Sequence, residues 1–492
     1  MLKGLFKNIS ARQIVLKNVF WIFFSQIVIR VLKFFLVIYI AKVLGPSGYG
    51  SFQYIFSILG LIYIFGDLGI NNILIRDFQK KDIEREKLLS VIEFLNILLE
   101  LIFLFLSLFV FFIIEEKIKI TFLILSFFFF FQNIKNFIFS LLKALNKMEI
   151  EAIILILENL WVIILAFLLL KKWPQESTLA LAYLGASVIS FTISFFYIKK
   201  IIVKPKIDLN YAKKIIINSL PFVLGGVSGY ILTNTDILMI KWFWDEWSVG
   251  QYTIGVKVFQ FLLLIAFALN TASFPLLASK KESPNISKRI TDILWALLYV
   301  GVPLALGGFL LKERLILRFF GNQYFLSPAP FGILILSIPF AFLIIFLGNI
   351  LFIYNLQLKY FAVVFLASIL NIALNFLFIP KISIIGAALT TFICNVFTFI
   401  FLLKIASKLN LIFLDRKKLK NITLANFLNT VLVIFLMKTG ISSILIVIVS
   451  VLFYFFVLKL LKEKLIEEIQ ETLKEIMSAK KISPPQESSF QD

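Results

Sequence analysis

Arg30 and Lys33 stand three residues apart in a stretch that is otherwise apolar from Val31 to Ile40 apart from Tyr39, and Lys257 sits inside another long apolar stretch. If the first stretch is a helix, that spacing puts both cations on one face. Like charges on one face repel unless something anionic answers them. Arg offers a planar fork of donors and Lys a mobile point charge, a pair suited to the oxygens of a pyrophosphate. The alternative is that these cations are neutralised within the protein by Asp67, Asp236, Glu93 or Glu100.

Those four acids also lie in apolar surroundings, with Glu93 and Glu100 two helical turns apart on one face. With Lys135 and Glu158 they could neutralise one another, or one glutamate could take up a proton and couple transport to an ion gradient. Asp236 has a different set of companions. Asn371 and Asn375 share a helix face, and with Asp236 and Thr391 they supply carboxylate, amide and hydroxyl oxygens, the donors that a hard cation such as Na⁺ prefers. Interhelical hydrogen bonding accounts for the same residues equally well. With no histidine and the single cysteine Cys394, His-based catalysis, His or Cys metal clusters and an intramolecular disulfide are excluded. No GxxxxGK[ST] run is present, so ATP hydrolysis has no support. The expectation is no cofactor and no enzymatic activity, with H⁺ or Na⁺ as the coupling ion.

The elements that must position these residues are set by lipid. Of 492 residues, 60% are hydrophobic and 58 are phenylalanine, more apolar surface than a soluble core absorbs. Apolar runs of about 20 residues, the length needed to cross a hydrocarbon core, recur along the chain. Their positions predict an all-α polytopic membrane protein of about fourteen transmembrane helices, at 17–41, 51–74, 89–114, 120–142, 150–170, 178–198, 214–240, 250–276, 289–311, 328–353, 360–379, 385–407, 420–437 and 440–460. The net charge of +21 gathers in alternate loops. That pattern places both termini in the cytoplasm and argues against nucleic acid as partner.

Sliding the halves by about 200 residues, as transporter repeats invite, aligns Asn18 with Asn218, Gly50-Ser51-Phe52 with Gly250-Gln251-Tyr252, and Gly185-Ala186 with Gly386-Ala387. The implied organisation is a cytoplasmic N-terminus (1–16), an N-lobe of six helices (17–200), a cytoplasmic linker (201–213), a C-lobe of six (214–407), helices 13 and 14 (420–460), and a cytoplasmic tail (461–492) that begins as a short surface helix.

The run Ala41-Lys42-Val43-Leu44-Gly45-Pro46-Ser47-Gly48-Tyr49-Gly50, then Asp67-Leu68-Gly69, Asp236 followed by Val249-Gly250-Gln251-Tyr252, and Asn371 to Pro380 followed by Gly386-Ala387-Ala388 together resemble one family. It is the Wzx-type oligosaccharide flippases, the polysaccharide transporter branch of the multidrug, oligosaccharidyl-lipid and polysaccharide (MOP) exporter superfamily. The resemblance spans about residues 10–460 and implies two pseudo-symmetric six-helix lobes in a V shape, a cationic central cavity, alternating access and two extra C-terminal helices. It implies that Arg30, Lys33 and Lys257 hold the diphosphate of an undecaprenyl-diphosphate-linked oligosaccharide, such as an O-antigen, capsule or exopolysaccharide repeat unit. The cargo would move from the inner to the outer leaflet of the inner (plasma) membrane. The proposed cation site at Asp236, Asn371, Asn375 and Thr391 resembles one suggested for related flippases, with Asn375 standing where that site carries an acid. Membrane lipids and glycan polymerases or glycosyltransferases are the expected partners. A lipid II flippase of peptidoglycan synthesis is the nearest alternative reading and a multidrug antiporter a more distant one.

Overall fold

The computed structural model describes residues 11–78, 80, 84–199, 208–279, 283–412, 415–461 and 463. Residues 201–207 of the expected linker (201–213) and the expected tail helix therefore lie outside the described residues, while the end of that linker already belongs to a helix that begins at Leu209. Every regular element among those described is helical, as backbone in hydrocarbon requires when no water is present to satisfy its polar groups. In chain order they are α1 Ala11–Phe65, α2 Ile70–Asp77, α3 Arg85–Ile113, α4 Lys119–Ala144, α5 Met148–Lys172, α6 Glu176–Ile198, α7 Leu209–Phe243, α8 Glu246–Leu262, α9 Leu264–Ser279, α10 Ile286–Phe320, α11 Pro328–Leu336, α12 Ile338–Ile353, α13 Gln357–Ser407, α14 Arg416–Lys438 and α15 Ser443–Leu460.

Ten helices among the described residues are long and apolar enough to cross a membrane, or eleven if the bent pair α11 and α12 counts as one span. α1 runs through both of the first two expected spans and α13 through the eleventh and twelfth. Each is broken by non-helical backbone, at Gly45 (φ 66°) in α1 and at Ile382 and Ser383 in α13. The expected second span, 51–74, also ends differently. Helix stops at Phe65, turns through residues 66–69 with Leu68 and Gly69 at positive φ, and resumes as α2. The helices turn large apolar side chains outward, Phe105 at 69% and Phe112 at 70% exposure among them, a surface suited to lipid.

α1 to α6 pack on one another as one bundle, α7 to α13 form a second, and α14 and α15 pair and lean on α10. The bundles meet most extensively where α1 lies on α8, and α7 also lies against α1 and α2. At one end of this seam they touch backbone to backbone. A methyl group added to Gly50 would collide with the carbonyl oxygen of Glu246, and one added to Gly250 with that of Pro46. These are the two glycines that the internal repeat aligns. Around them Lys117 pairs with Glu246 at 2.8 Å, and Lys241 with Glu115 at 2.8 Å and with Glu246 at 3.0 Å, so ion pairs tie the bundles across the seam. Tyr324 Oη and Gln323 Nε2 donate to the carbonyl oxygen of Ala41 at 3.1 and 3.2 Å. Gln251 holds the opposite side of that loop, donating to Gln323 O at 2.7 Å and accepting from Ser327 Oγ at 2.9 Å.

Lys241, followed by Lys117, holds the Glu115 carboxyl below its usual range. A carboxylate with a depressed pKa contributes stability above the ordinary value and loses it as pH falls through the depressed one, so this clamp is intact at neutral pH. Gly250→Ala is expected to overpack it and lower stability by about 1–3 kcal/mol. Thermal unfolding of the purified protein reads the loss, and labelling of a cysteine introduced at Ser47 by a membrane-impermeant maleimide should rise at the same time.

Candidate functional site

The first half of α1 carries Arg30 and Lys33 and α8 carries Lys257. All three line one cavity of about 470 Å³, with Phe34, Gln53, Tyr183, Gln260 and Phe267 among the other walls. Side chains from both bundles therefore meet there. The Arg30 guanidinium lies 4.3 Å from the centre of the Phe267 ring, a cation–π contact across the seam. One turn on, Phe34 stacks on Phe261 at 4.1 Å. Lys33 is exposed although it sits deep in the bundle, because it faces the cavity.

Among the described residues none of the three cations lies within ion-pair distance of Asp67, Asp236, Glu93 or Glu100, although Lys257 and Asp236 are near enough to attract one another. Each acid is placed otherwise. Asp67, at the break between α1 and α2, accepts from Asn71 Nδ2 at 2.6 Å. Asp236 on α7, 4% exposed, accepts from the Tyr252 hydroxyl of α8. Glu93 and Glu100 line a different cavity, between α3, α4 and α6. The mutual neutralisation expected of Lys135, Glu93, Glu100 and Glu158 holds for one pair only. Lys135 Nζ lies 2.7 Å from Glu158 Oε2 and 2.8 Å from Ser190 Oγ, while Gln132 Nε2 donates to Glu158 Oε1 at 2.5 Å.

The cationic chamber adjoins a second one of about 500 Å³, with which it shares Phe56 and Thr233. Its other walls are Gly60, Tyr63, Ile64, Phe129, Gly226, Gly229, Tyr230 and Asn234. It carries no charged side chain, and a methyl group added at Gly226 or Gly229 would meet open space. Tyr230 is held across the seam by its hydroxyl, which donates to Ser57 O at 2.7 Å. Together the chambers offer a cationic wall on one side and a neutral, aromatic wall on the other.

The four oxygen-bearing residues read as a cation site divide into two neighbouring pairs. Tyr252 Oη bridges Asp236 to Thr391 Oγ1, 3.4 Å away, and Asn375 Nδ2 donates to Asn371 Oδ1 at 3.1 Å. Asn375 Oδ1 is buried without a partner, which fits an oxygen ligand waiting for a cation. Among the described residues no group of three His, Cys, Asp or Glu is arranged to hold a metal ion, so such a site would depend on the Asp236 carboxylate together with neutral oxygens. Reading the residues one by one missed Tyr252 and Phe267. Tyr252 lay in the quoted Val249-Gly250-Gln251-Tyr252 run, but no local spacing ties it to Asp236.

The family model described as polysaccharide biosynthesis protein matches residues 15–281, more than half of the chain. The chain belongs to the polysaccharide biosynthesis protein family. It is similar to the capsular polysaccharide biosynthesis protein CapF of Staphylococcus aureus, with 25% identity over 387 residues, covering 76% of this chain and 94% of that protein. Among solved structures, the lipid II flippase MurJ in an inward closed conformation matches with a TM-score of 0.76 at 20% identity, over 91% of this chain and 99% of MurJ. An inward-facing multidrug resistance MATE transporter of the MOP superfamily matches with a TM-score of 0.57 at 13% identity, over 77% and 95% of the two chains. The chain therefore shares its fold with these structures, and its cationic chamber lies on the seam between the two bundles of that fold.

The buried Lys135–Glu158 pair and the unpaired Lys33 should respond differently to neutralisation. Lys135→Met strands Glu158 and is expected to cost about 3–5 kcal/mol of stability, the usual penalty for breaking a buried pair from one side. Lys33→Met removes an unanswered charge and should leave the thermal midpoint unchanged or raise it. Parallel melts of the two purified variants check this.

Proposed function

We propose that this protein is a flippase. It would capture an undecaprenyl-diphosphate-linked oligosaccharide at the inner leaflet of the cell membrane and release it at the outer leaflet by alternating access. The observation that carries this reading is the arrangement of Arg30, Lys33 and Lys257, three cations without ion-pair partners among the described residues, drawn from both bundles onto one cavity. An uncompensated cation is costly at membrane depth, so such residues are kept where they have a use. A diphosphate answers all three at once, and its binding would draw the bundles together because each contributes cations. The neutral chamber lined by Tyr63, Phe129, Tyr230 and Thr233 then receives the first sugars. Membership of a polysaccharide biosynthesis family and the likeness to CapF support a glycan cargo.

On this reading both termini are cytoplasmic, and the Gly50 and Gly250 clamp closes the outer end until release. Energy would come from membrane potential or from H⁺ or Na⁺. Asp236, Thr391, Asn371 and Asn375 would hold a coupling Na⁺, which supplies charge that changes how the α7, α8 and α13 contacts balance. Glycan polymerases or glycosyltransferases would act before and after the flip. A second reading, lipid II as cargo, is favoured by the likeness to MurJ, and complementation of a strain depleted of its lipid II flippase separates the two.

Arg30→Ala combined with Lys257→Ala is expected to abolish protein-dependent movement of diphosphate-linked glycan across proteoliposomes under an imposed ion gradient or potential, with membrane insertion unchanged. Undiminished movement in that double variant would remove the site.

A further inference from the structure

Within the first bundle, a cavity of about 410 Å³ between α3, α4 and α6 shares no lining residue with the cationic chamber or its neutral neighbour. Its walls are mostly apolar, Leu101, Phe130 and Phe191 among them, and no Lys or Arg lines it. Its polar groups are Glu93, Asn96, Glu100 and Asn133. Glu100 stands midway along the membrane-spanning α3 and is 8% exposed, and Asn133 on α4 is 5% exposed. Asn133 lies beside Glu100, yet neither of its amide atoms, nor Glu100 Oε1, is in hydrogen-bond geometry with any partner.

Three buried polar atoms are thus left open on one cavity, two of them acceptors. The basic residue nearest in sequence, Lys135, is occupied by Glu158 and Ser190. A bare carboxylate in such surroundings is driven to gain a proton or a cation. The cavity also has room for the ion's own water at about 30 Å³ per molecule, so a complete cage of protein oxygens is not needed.

We propose that this cavity is a second cation site, separate from Asp236, in which Glu100 takes up a monovalent cation, H⁺ or Na⁺, with Asn133 as its polar partner. As Na⁺, the ion is held by the Glu100 carboxylate, Asn133 Oδ1 and water. As H⁺, the proton sits on Glu100 and is donated toward Asn133 Oδ1. The titratable groups around Glu100 are Glu93 on its own helix, which already has an interaction, Tyr63 on α1 and Asp67 at the break between α1 and α2, and the Lys135–Glu158 pair of α4 and α5. α6 lines the cavity with Phe191, Phe195 and Ile198. Near the helix ends, Arg76 pairs with Asp77 on α2, and Lys87 of α3 pairs with Asp208 at the cap of α7. A hydrogen-bonded chain from Asp67 through Asn71 to Asn96 reaches the cavity wall from the break between α1 and α2, so occupation of the site bears on the helix that joins the clamp to the cationic chamber.

The test is binding, which does not depend on what cargo the protein carries. The purified full chain in detergent, in an Asp236→Asn background to silence the other candidate site, is titrated with NaCl by calorimetry and, in separate runs, taken through a pH jump with a dye counting protons. Saturable Na⁺ binding that Glu100→Gln abolishes supports the site with Na⁺ as its ion. One proton fewer per chain in Glu100→Gln, with no Na⁺ heat, supports it with H⁺. Asn133→Ser, which keeps the carboxylate, should weaken the same uptake about tenfold, as loss of an orienting partner does. Na⁺ and proton uptake unchanged in Glu100→Gln, or unchanged in Asn133→Ser if the first variant fails to fold, would overturn the proposal.

Discussion

Charge inside hydrocarbon must be answered, and the arrangement of this molecule follows from how each charge is answered. Lys135 and Glu158 answer one another inside the first bundle, bonded further by Ser190 and Gln132. Asp236 is answered by the Tyr252 hydroxyl. Lys117, Lys241, Glu115 and Glu246 answer one another at the end of the seam, where they also hold the bundles together. What remains unanswered is sorted by sign. Arg30, Lys33 and Lys257 face the cavity between the bundles, whereas Glu100 faces a cavity within one of them. A low-dielectric medium makes each unanswered charge costly, and that sorting points to an anionic cargo in one place and a cation in the other.

The clamp gives this chemistry its mechanical setting. Close packing at Gly50 and Gly250 lets two backbones approach to a distance no side chain would permit, as small residues do at helix interfaces in membranes. The contact is isologous in the sense of the repeat, since each half supplies the same kind of glycine. The joint combines bare backbone, ion pairs and hydrogen bonds from Tyr324 and Gln323 to Ala41, and it continues into a buried apolar cluster that includes Tyr49 and Phe52 of α1 and Val249 and Tyr252 of α8. The cationic chamber beside it is built differently, from long and mobile side chains and from aromatic contacts such as Phe34 on Phe261.

Much of the fold was legible because lipid imposes one requirement on every residue of a span. Apolar runs long enough to cross a bilayer cannot be strands of an open sheet or a soluble core, so helices and their approximate positions follow from composition alone. Breaks were harder. Gly45 and Pro46 mark a connection in the sequence, and the helix does break there, at Gly45, but the turn at Asp67-Leu68-Gly69 falls inside the expected second span, 51–74. Hydropathy records what a residue dissolves in, and it is blind to a backbone turn whose carbonyls are satisfied locally. The candidate site was legible in its cations because Arg30 and Lys33 violate the hydropathy of their surroundings.

The chain by itself determined that this is a multi-pass helical membrane protein with a duplicated plan, lacking histidine chemistry, and carrying basic residues where lipid should be. It determined these things because each is a property of residue type and local spacing. Which charges stay unpaired was decided only by the tertiary structure. Lys257 lies more than two hundred residues from Arg30 and yet lines the same cavity, while Lys135 and Glu158 cancel across two helices. Tyr252 reaches Asp236, and Asn133 stands open beside Glu100, for the same reason. Pairing depends on distances between helices, and those are set by packing along whole helix faces, which no local pattern of residues encodes.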